Sequence, residues 1–287
     1  MGALKFLNEV GMPPQLNQDI QEEFVFGGKV IKASRLYGSM PNGAKLANPV
    51  ILPPNTGRGT SWSPDGRYLA IAHDITPFIS VYSFDGTTLT KLANPSILPT
   101  GDGTGAAWSP DGRYLTVVTS TTPFMSVYSF DGTILTKLIN PSILPAGYGT
   151  KASWSLDGKF LAISHINTPF ISVYSFDGTT LTKLANPSIL PTGDGNGPSW
   201  SPDGRFLAVG HYFTPFMSVY SFDGTTLTKL TNPLTLPNGT GYSVSWSPDG
   251  RYLAISHSTT PFISVYDSSP GHPNPGNMLA LSKTTNI

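Results

Sequence analysis

Four of the five histidines recur at one place in a repeating sequence, so a metal site is the first chemistry to test. They are His73, His165, His211 and His257, and Thr119 takes the place once. Zinc binds imidazole nitrogens at about 2 Å, whereas equivalent positions of a repeat lie on separate structural units and cannot share one ion. We therefore predict no metal site and no cofactor. Each imidazole is interpreted as hydrogen-bonded to a neighbouring loop.

The acidic residues argue against hydrolysis. All three glutamates, Glu9, Glu22 and Glu23, precede the repeats. A glycosidase needs a paired acid and base, and Asp102 with Asp194 is a weak substitute for a pair that includes glutamate. Turn chemistry accounts for nine of the other aspartates: Asp65, Asp111, Asp157, Asp203, Asp249, Asp85, Asp131, Asp177 and Asp223. With no phosphate loop and no Gly-x-Ser-x-Gly motif, the sequence predicts a protein that is not an enzyme and has no catalytic residues.

The elements that position these residues follow from one internal repeat. The five tryptophans are spaced by 46 residues, and each begins the phrase Trp-Ser-Pro-Asp-Gly or a close variant; they are Trp62, Trp108, Trp154, Trp200 and Trp246. Each unit divides into four short strands, A to D, separated by Pro-Asp-Gly and Asp-Gly turns, which is typical of a propeller of four-stranded blades. We expect the glycine of the Pro-Asp-Gly turns to adopt positive φ.

The two ends of the repeat region predict how a ring would close. The fifth unit stops after strand C, and a copy of the strand D phrase, residues 45–49, precedes the first tryptophan. We predict an all-β, five-bladed β-propeller in which Ala44 to Leu46 pair with Phe262 to Tyr266. The alternative is a sixth, irregular blade built from residues 24–42 and 277–283. The predicted divisions are an N-terminal arm (1–42), the propeller (43–267) and a C-terminal tail (268–287).

The Trp-Ser-Pro-Asp-Gly phrase resembles the repeats of TolB-like and other WD40-like propellers. The resemblance covers residues 45–267 and implies the architecture, not the function. The Trp-Asp dipeptide that ends a strand in true WD40 repeats is absent here, so the peptide-binding rules of that family do not carry over.

Binding residues are expected where the copies of the repeat differ. The copies vary in the loop between strand D and the next strand A, and in the loop between strands B and C, and antiparallel geometry places both loops on one face of a propeller. The A–B and C–D turns are nearly constant and would form the opposite face. The candidate binding residues on the variable face are Arg58, Asp102, Tyr148, Asp194, Tyr212, Phe213 and Tyr242. Neutral drift of exposed loops is the competing interpretation.

Composition limits the partners and the location. Lys+Arg and Asp+Glu are both 17, so a neutral chain gives no electrostatic reason to expect nucleic acid or membrane insertion. We expect synthesis in a cytoplasm, because residues 1–9 do not resemble a signal peptide. The favoured hypothesis is a structural and recognition propeller, attached through residues 1–42 and 268–287 to protein partners in a larger assembly such as a phage or virus particle. The alternative is a soluble, multivalent, lectin-like protein that binds carbohydrate or another surface receptor.

Overall fold

The computed structural model describes residues 20–26, 29–35 and 45–268. The chain separates into two compact units, residues 1–47 and 48–287. In the first unit, β1 (Ile20–Phe26) and β2 (Lys29–Arg35) form an antiparallel hairpin. The sequence analysis did not predict this hairpin.

The second unit is a series of antiparallel sheets, one for each repeat, which we number as blades 1 to 5. Blades 1 and 2 contain β3 (Gly57–Trp62), β4 (Tyr68–His73), β5 (Ile79–Phe84), β6 (Leu89–Lys91), β7 (Gly103–Trp108), β8 (Tyr114–Thr119), β9 (Met125–Phe130) and β10 (Leu135–Lys137). Blades 3 and 4 contain β11 (Gly149–Trp154), β12 (Phe160–His165), β13 (Ile171–Phe176), β14 (Leu181–Lys183), β15 (Gly195–Trp200), β16 (Phe206–His211), β17 (Met217–Phe222) and β18 (Leu227–Lys229). Blade 5 contains β19 (Gly241–Trp246), β20 (Tyr252–His257) and β21 (Ile263–Asp267). The described residues thus form repeated antiparallel sheets without a helix, and none of their elements is a helix that could span a membrane.

The A–B turns are fixed by their own side chains. In blade 1 the Ser63 hydroxyl donates to the Asp65 carboxylate (2.6 Å) and accepts the Tyr68 backbone N–H (2.9 Å). The same carboxylate accepts the Arg67 backbone N–H (3.0 Å), and Gly66 adopts a φ of 70°. These contacts hold the pKa of Asp65 near 2, with the Ser63 hydrogen bond as the largest cause. The predicted glycine conformation is therefore confirmed at this turn.

The B–C loop of each blade ends in a phenylalanine with an unusual backbone. Phe78 has a φ of 63°, and its four equivalents have values between 64° and 67°. A bulky residue with positive φ is strained, so the conformation needs support from its surroundings. The Phe78 carbonyl accepts the His73 backbone N–H (3.1 Å) and lies so close to Gly103 that a Cβ there would sit 2.2 Å from it. The strained corner of one blade thus contacts an obligatory glycine of the next.

The core lies between the blades. Each sheet has a leading face, which carries the tryptophan, and a trailing face on its other side. At each of the four junctions the trailing face of one blade packs on the leading face of the next. At the first junction the trailing face of blade 1 packs against the leading face of blade 2, which bears Trp108 and Leu115, and the buried residues of that trailing face are Ala70, Ala72, Ile79 and Val81. Equivalent clusters fill the next three junctions. This packing explains why the central strands of the blades carry apolar groups on both faces.

The predicted closing strand is wrong for Lys45 and Leu46, and Ala44 lies outside the described residues. Blade 5 contains three strands, and residues 45–50 form no strand. The paired part of strand D is Leu-Thr-Lys, as in β6 (Leu89–Lys91), but Gly43, Ala44 and Lys45 stand at the corresponding positions. The orphan phrase therefore lacks the leucine that is buried at the equivalent site of blade 2 (Leu135, 3% exposed). Of the alternative sixth blade, residues 24–26 and 29–35 belong to the hairpin of the first unit, and residues 36–42 and 277–283 lie outside the described residues.

Candidate functional site

The D–A and B–C loops lie on one face of the sheets, as the sequence predicts; we call it the loop face. Direct hydrogen bonds join the two loops in several blades. In blade 2 the Ser120 backbone N–H donates to the Asp102 carbonyl (3.0 Å), and the Ser120 hydroxyl accepts the Asp102 backbone N–H (2.9 Å). In blade 3 the Ile166 backbone N–H donates to the Tyr148 carbonyl (3.1 Å). The predicted position of Asp102 and Tyr148 in these loops is therefore confirmed, although their role is not tested by it.

A β-bulge directs the variable residue at the start of each strand A. The register of β3 and β4 shifts between Gly57 and Gly59, so Arg58 is the extra residue, and a bulge re-aims a side chain. In blades 2, 3 and 4 the residue at this position bonds to the next blade. Thr104 and Thr150 each donate to a backbone carbonyl of the next blade at 2.6 Å. This position varies in sequence, yet in three blades it holds neighbouring blades together.

Arg58 departs from that pattern and forms a charged group. Its Nε and Nη2 donate to the two carboxylate oxygens of Asp74 at 2.7 and 2.9 Å, a bidentate geometry that fixes the guanidinium plane. The pKa of Arg58 is raised, first by the hydrogen bond to Asp74 and then by its charge, with smaller contributions from Tyr148 and Asp102. These four residues come from three successive repeats. Arg58 and Asp74 belong to blade 1, Asp102 to the loop before blade 2 and Tyr148 to the loop before blade 3.

Lys151 is the member of this group that the sequence analysis missed. Its Nζ donates to the carbonyls of Arg58 and Thr104, both at 3.2 Å, so the side chain reaches from blade 3 past blade 2 to blade 1. Desolvation lowers the pKa of Lys151, although the residue as a whole remains solvent-accessible. The ammonium group of Lys151 has three N–H donors, and two of them bond the carbonyls, so one is left for a ligand.

The signal for Lys151 was present in the repeat. The residue three positions before each tryptophan is glycine in three of the five copies, and the full set is Gly59, Gly105, Lys151, Gly197 and Ser243. A Cβ at Gly59 would lie 2.9 Å from the Gly105 Cα, so the first strands of neighbouring blades approach too closely for a side chain there. A lysine at a position that is mostly glycine is therefore the unusual feature of the repeat.

The other candidates form an aromatic group on blades 4 and 5. The rings of Tyr212 and Phe213 are in edge contact, with centroids 5.3 Å apart, and Phe213 covers Gly193. The Thr240 hydroxyl donates to the Tyr212 carbonyl (3.2 Å), which ties this loop to the segment that carries Tyr242. All three aromatic side chains are more than half exposed.

Asp194, the remaining candidate, is partly buried in the loop before blade 4. It forms no ion pair with any residue between 45 and 268. The structure does not bring Asp194 and Asp102 together through any contact of their side chains in this range.

The histidines are held inside their own blades. His165 Nε2 bonds the Ser172 hydroxyl (3.0 Å) and Nδ1 bonds the Asn167 carbonyl (2.7 Å). His211 has the same two kinds of partner. Burial lowers the pKa of both imidazoles to about 4, so they are neutral near pH 7 and have a structural role.

The opposite face, which we call the turn face, carries a hollow at each of three blade junctions. The hollows have volumes of about 680, 500 and 600 Å³ for the first, second and third junction. Each is formed by the A–B turns of two blades and the C–D turn of the second. The walls of the third are Ser155, Leu156, Asp157, Phe160, Pro202, Asp203, Gly204, Arg205, Phe222, Asp223 and Gly224. These hollows repeat in register, unlike the groups on the loop face.

Comparison with known proteins places the repeats in a family. Residues 58–244, more than half of the chain, match the model of the family described as lactonase, 7-bladed beta-propeller. The chain belongs to this lactonase family. The match confirms a β-propeller but not the more specific likeness to TolB-like or WD40-like repeats. In the described part of this lactonase-family chain the repeats form five sheets, besides the two-stranded sheet of β1 and β2, whereas the family is described as seven-bladed.

A solved structure supports the fold of this lactonase-family chain. The hydrazine synthase of Kuenenia stuttgartiensis superposes with a TM-score of 0.58 at 18% sequence identity. The alignment covers 74% of this chain and 64% of the hydrazine synthase chain, and at this identity it shows the fold alone. No curated protein sequence matches the chain.

Proposed function

We propose that the chain is a non-enzymatic recognition propeller, displayed on a larger assembly, whose loop face binds a partner. One observation carries the proposal: the residues that differ between repeats gather on the loop face, while the turn face repeats the same side chains. Uniform drift would leave scattered single differences. Instead the loop face has a charged group on blades 1 to 3, with Arg58, Asp74 and Lys151 in contact, and an exposed aromatic group on blades 4 and 5.

The two groups suggest the chemistry of the partner. Exposed aromatic rings present apolar faces with a polar end, which suits stacking on a sugar ring. Arg58 and the free donor of Lys151 suit a carboxylate. We therefore propose an acidic saccharide on a receptor surface as the partner. The attachment of residues 1–42 and 268–287 to a phage or virus particle, or another assembly, remains part of the proposal.

A glycan microarray with neutral and uronic-acid-bearing sugars tests this function. The full chain should bind the acidic sugars, and Lys151→Met or a combined Tyr212→Ala, Phe213→Ser variant should weaken binding at least tenfold. Arg205→Ala, on the turn face, is the matched control and should bind like the parent chain. Unchanged binding by both loop-face variants would contradict the proposal.

A multivalent, lectin-like protein is the second candidate, and the three hollows in register on the turn face favour it. Stoichiometry separates it from the first. Isothermal titration with a binding monosaccharide should give one site per chain if the loop face binds, and three or more if the hollows bind. In the second case Arg205→Ala should remove one site.

Lactone hydrolysis is a third candidate, favoured by the family match alone. A lysine with a lowered pKa is a suitable base or nucleophile, and Lys151 is such a residue. Incubation with glucono-δ-lactone should show no acceleration over buffer if the recognition proposal holds. Turnover that disappears in Lys151→Met would show catalysis at this residue and contradict the recognition proposal.

A further inference from the structure

The four junctions between blades share one pattern of contacts. At each, a leading face with a tryptophan covers a trailing face of small and β-branched side chains. At the first three junctions the tryptophan edge meets the phenylalanine of its own strand C, as in Trp108 and Phe130, whose ring centroids are 5.2 Å apart. At the fourth junction Ser268 takes the place of that phenylalanine. Because the repeats are nearly identical, the junctions show that any leading face of this chain fits a trailing face, and any trailing face fits a leading face.

Within residues 45–268, no blade covers the leading face of blade 1 or the trailing face of blade 5. The leading face of blade 1 leaves Trp62 48% exposed, whereas the other four tryptophans are between 6% and 8% exposed. The trailing face of blade 5 leaves Ile263 and Val265 54% and 59% exposed, and their equivalents in the other blades are at most 3% exposed. The end faces therefore present the apolar side chains that every internal junction buries.

Polar groups at the two ends match in the same way. At the first two junctions a tyrosine hydroxyl of the trailing face donates to the glycine carbonyl of the next C–D turn. The bonds are Tyr68 to Gly132 (2.9 Å) and Tyr114 to Gly178 (2.7 Å). Blades 3 and 4 have Phe160 and Phe206 at this position, but the last blade again has a tyrosine, Tyr252. The Tyr252 hydroxyl on the trailing face of blade 5 could therefore donate to the C–D turn of a following blade.

The family description gives a number of blades with which the described repeats can be compared. The described repeats form five blades and the family is described as seven-bladed, a difference of two. We propose that the leading face of blade 1 and the trailing face of blade 5 together bind a partner polypeptide that carries two more copies of this 46-residue repeat. A second copy of the whole chain brings five blades and does not fit a gap of two.

The partner would make three junctions of the kind already present. Its first blade covers the trailing face of blade 5, where Tyr252 donates to the glycine carbonyl of the partner's C–D turn. The second blade of the partner packs on the partner's own first blade and presents its trailing face to Trp62 of blade 1. The Gly86 carbonyl of blade 1 then accepts the hydroxyl of the tyrosine on that face, as Gly132 does from Tyr68.

Mixing experiments with the full chain test the number of repeats. The probe is a recombinant two-repeat segment, residues 49–140, compared with a one-repeat segment (95–140) and a three-repeat segment (49–186). Light scattering after gel filtration should show a one-to-one complex with the two-repeat segment. Titration should give a dissociation constant at least tenfold lower than for the other two segments.

Variants of the end faces identify the surface. Trp62→Arg and Val265→Arg change exposed side chains, so both should fold, and each should weaken the complex at least tenfold. Ile97→Arg, which changes a similarly exposed side chain of a D–A loop, is the control and should bind normally. Absence of any complex, or equal binding of all three segments, would overturn the proposal. Self-association of the full chain that Trp62→Arg blocks would also overturn it, because a second copy would then cover the faces.

A lengthened chain gives a second measurement that does not require a soluble segment. Chains that carry one, two or three additional repeats after residue 268 would fill the proposed gap between blade 5 and blade 1 partly, completely or in excess. The chain with two should have the highest melting temperature, and its Trp62 should be protected from acrylamide quenching. A melting temperature that rises equally with each added repeat would contradict a gap of two blades.

Discussion

The interior and the end blades have nearly the same sequence but different surroundings. Trp108 and Trp62 begin the same phrase and occupy the same position of strand A, yet one is buried and the other is half exposed. The difference arises because blade 1 precedes Trp108 and no described blade precedes Trp62. Burial in this molecule is therefore a property of the junction rather than of the repeat, and the same substitution should have different effects in the two kinds of blade.

The largest difference is expected for the tryptophans. Trp108→Ala should lower the free energy of unfolding by about 3–5 kcal/mol, the usual cost of removing a buried aromatic side chain. Trp62→Ala should cost less than about half of that, because its ring is already partly in water. Urea unfolding followed by circular dichroism measures both. Equal losses would show that the leading face of blade 1 is covered in solution.

An intermediate effect is expected from the buried histidines of the interior blades. The pKa of His165 and His211 is about 4 in the folded chain and about 6.5 when unfolded. Between these values the unfolded state binds protons that the folded state does not, so the free energy of unfolding falls as the pH is lowered from 6.5 to 4. The loss reaches up to about 3 kcal/mol for each histidine.

The repeat itself supplies the substitution that tests this pH dependence. Blade 2 has Thr119 in place of histidine, and its hydroxyl donates to the Thr121 carbonyl (3.1 Å). A chain with His165→Thr and His211→Thr should show a shallower decrease of stability between pH 6.5 and pH 4 than the parent chain. Parallel stability curves for the two chains would contradict the assignment.

The smallest difference concerns one hydroxyl. Tyr68→Phe removes the bond to the Gly132 carbonyl and should cost about 1 kcal/mol. Tyr252→Phe, at the equivalent position of the last blade, should change the stability by less than that. Thermal melts of the two variants give the comparison. A larger loss for Tyr252→Phe would mean that its hydroxyl has a partner in solution.

Local features of the fold followed from the sequence, and long-range ones did not. The A–B turns were predictable because Ser63, Asp65 and Gly66 fix them through contacts within a few residues. The closing strand was wrong because the phrase of residues 45–49 matched only the part of the repeat that follows strand D. A match that included Gly43 and Ala44 would have shown the missing leucine.

The sequence predicted which face carries the candidate site but not which residues form it. The loops were assigned to the correct face by antiparallel geometry. Variability was a poor guide to the residues themselves, because Thr104 and Thr150 vary yet bond between blades. The place of Lys151 among the glycines of the repeat marks it as unusual, but its contact with Arg58, 93 positions away, depends on the packing of the blades.

The strained corner at Phe78 and its partner Gly103 have a consequence for how such a chain evolves. Every complete repeat carries both halves of this contact, the phenylalanine for the copy that follows and the glycine for the copy that precedes it. Any repeat can therefore stand next to any other without a compensating mutation. Unequal recombination in units of one repeat would add or delete a whole blade and leave every remaining junction intact, so blade number is the feature of this protein that a single genetic event changes most easily.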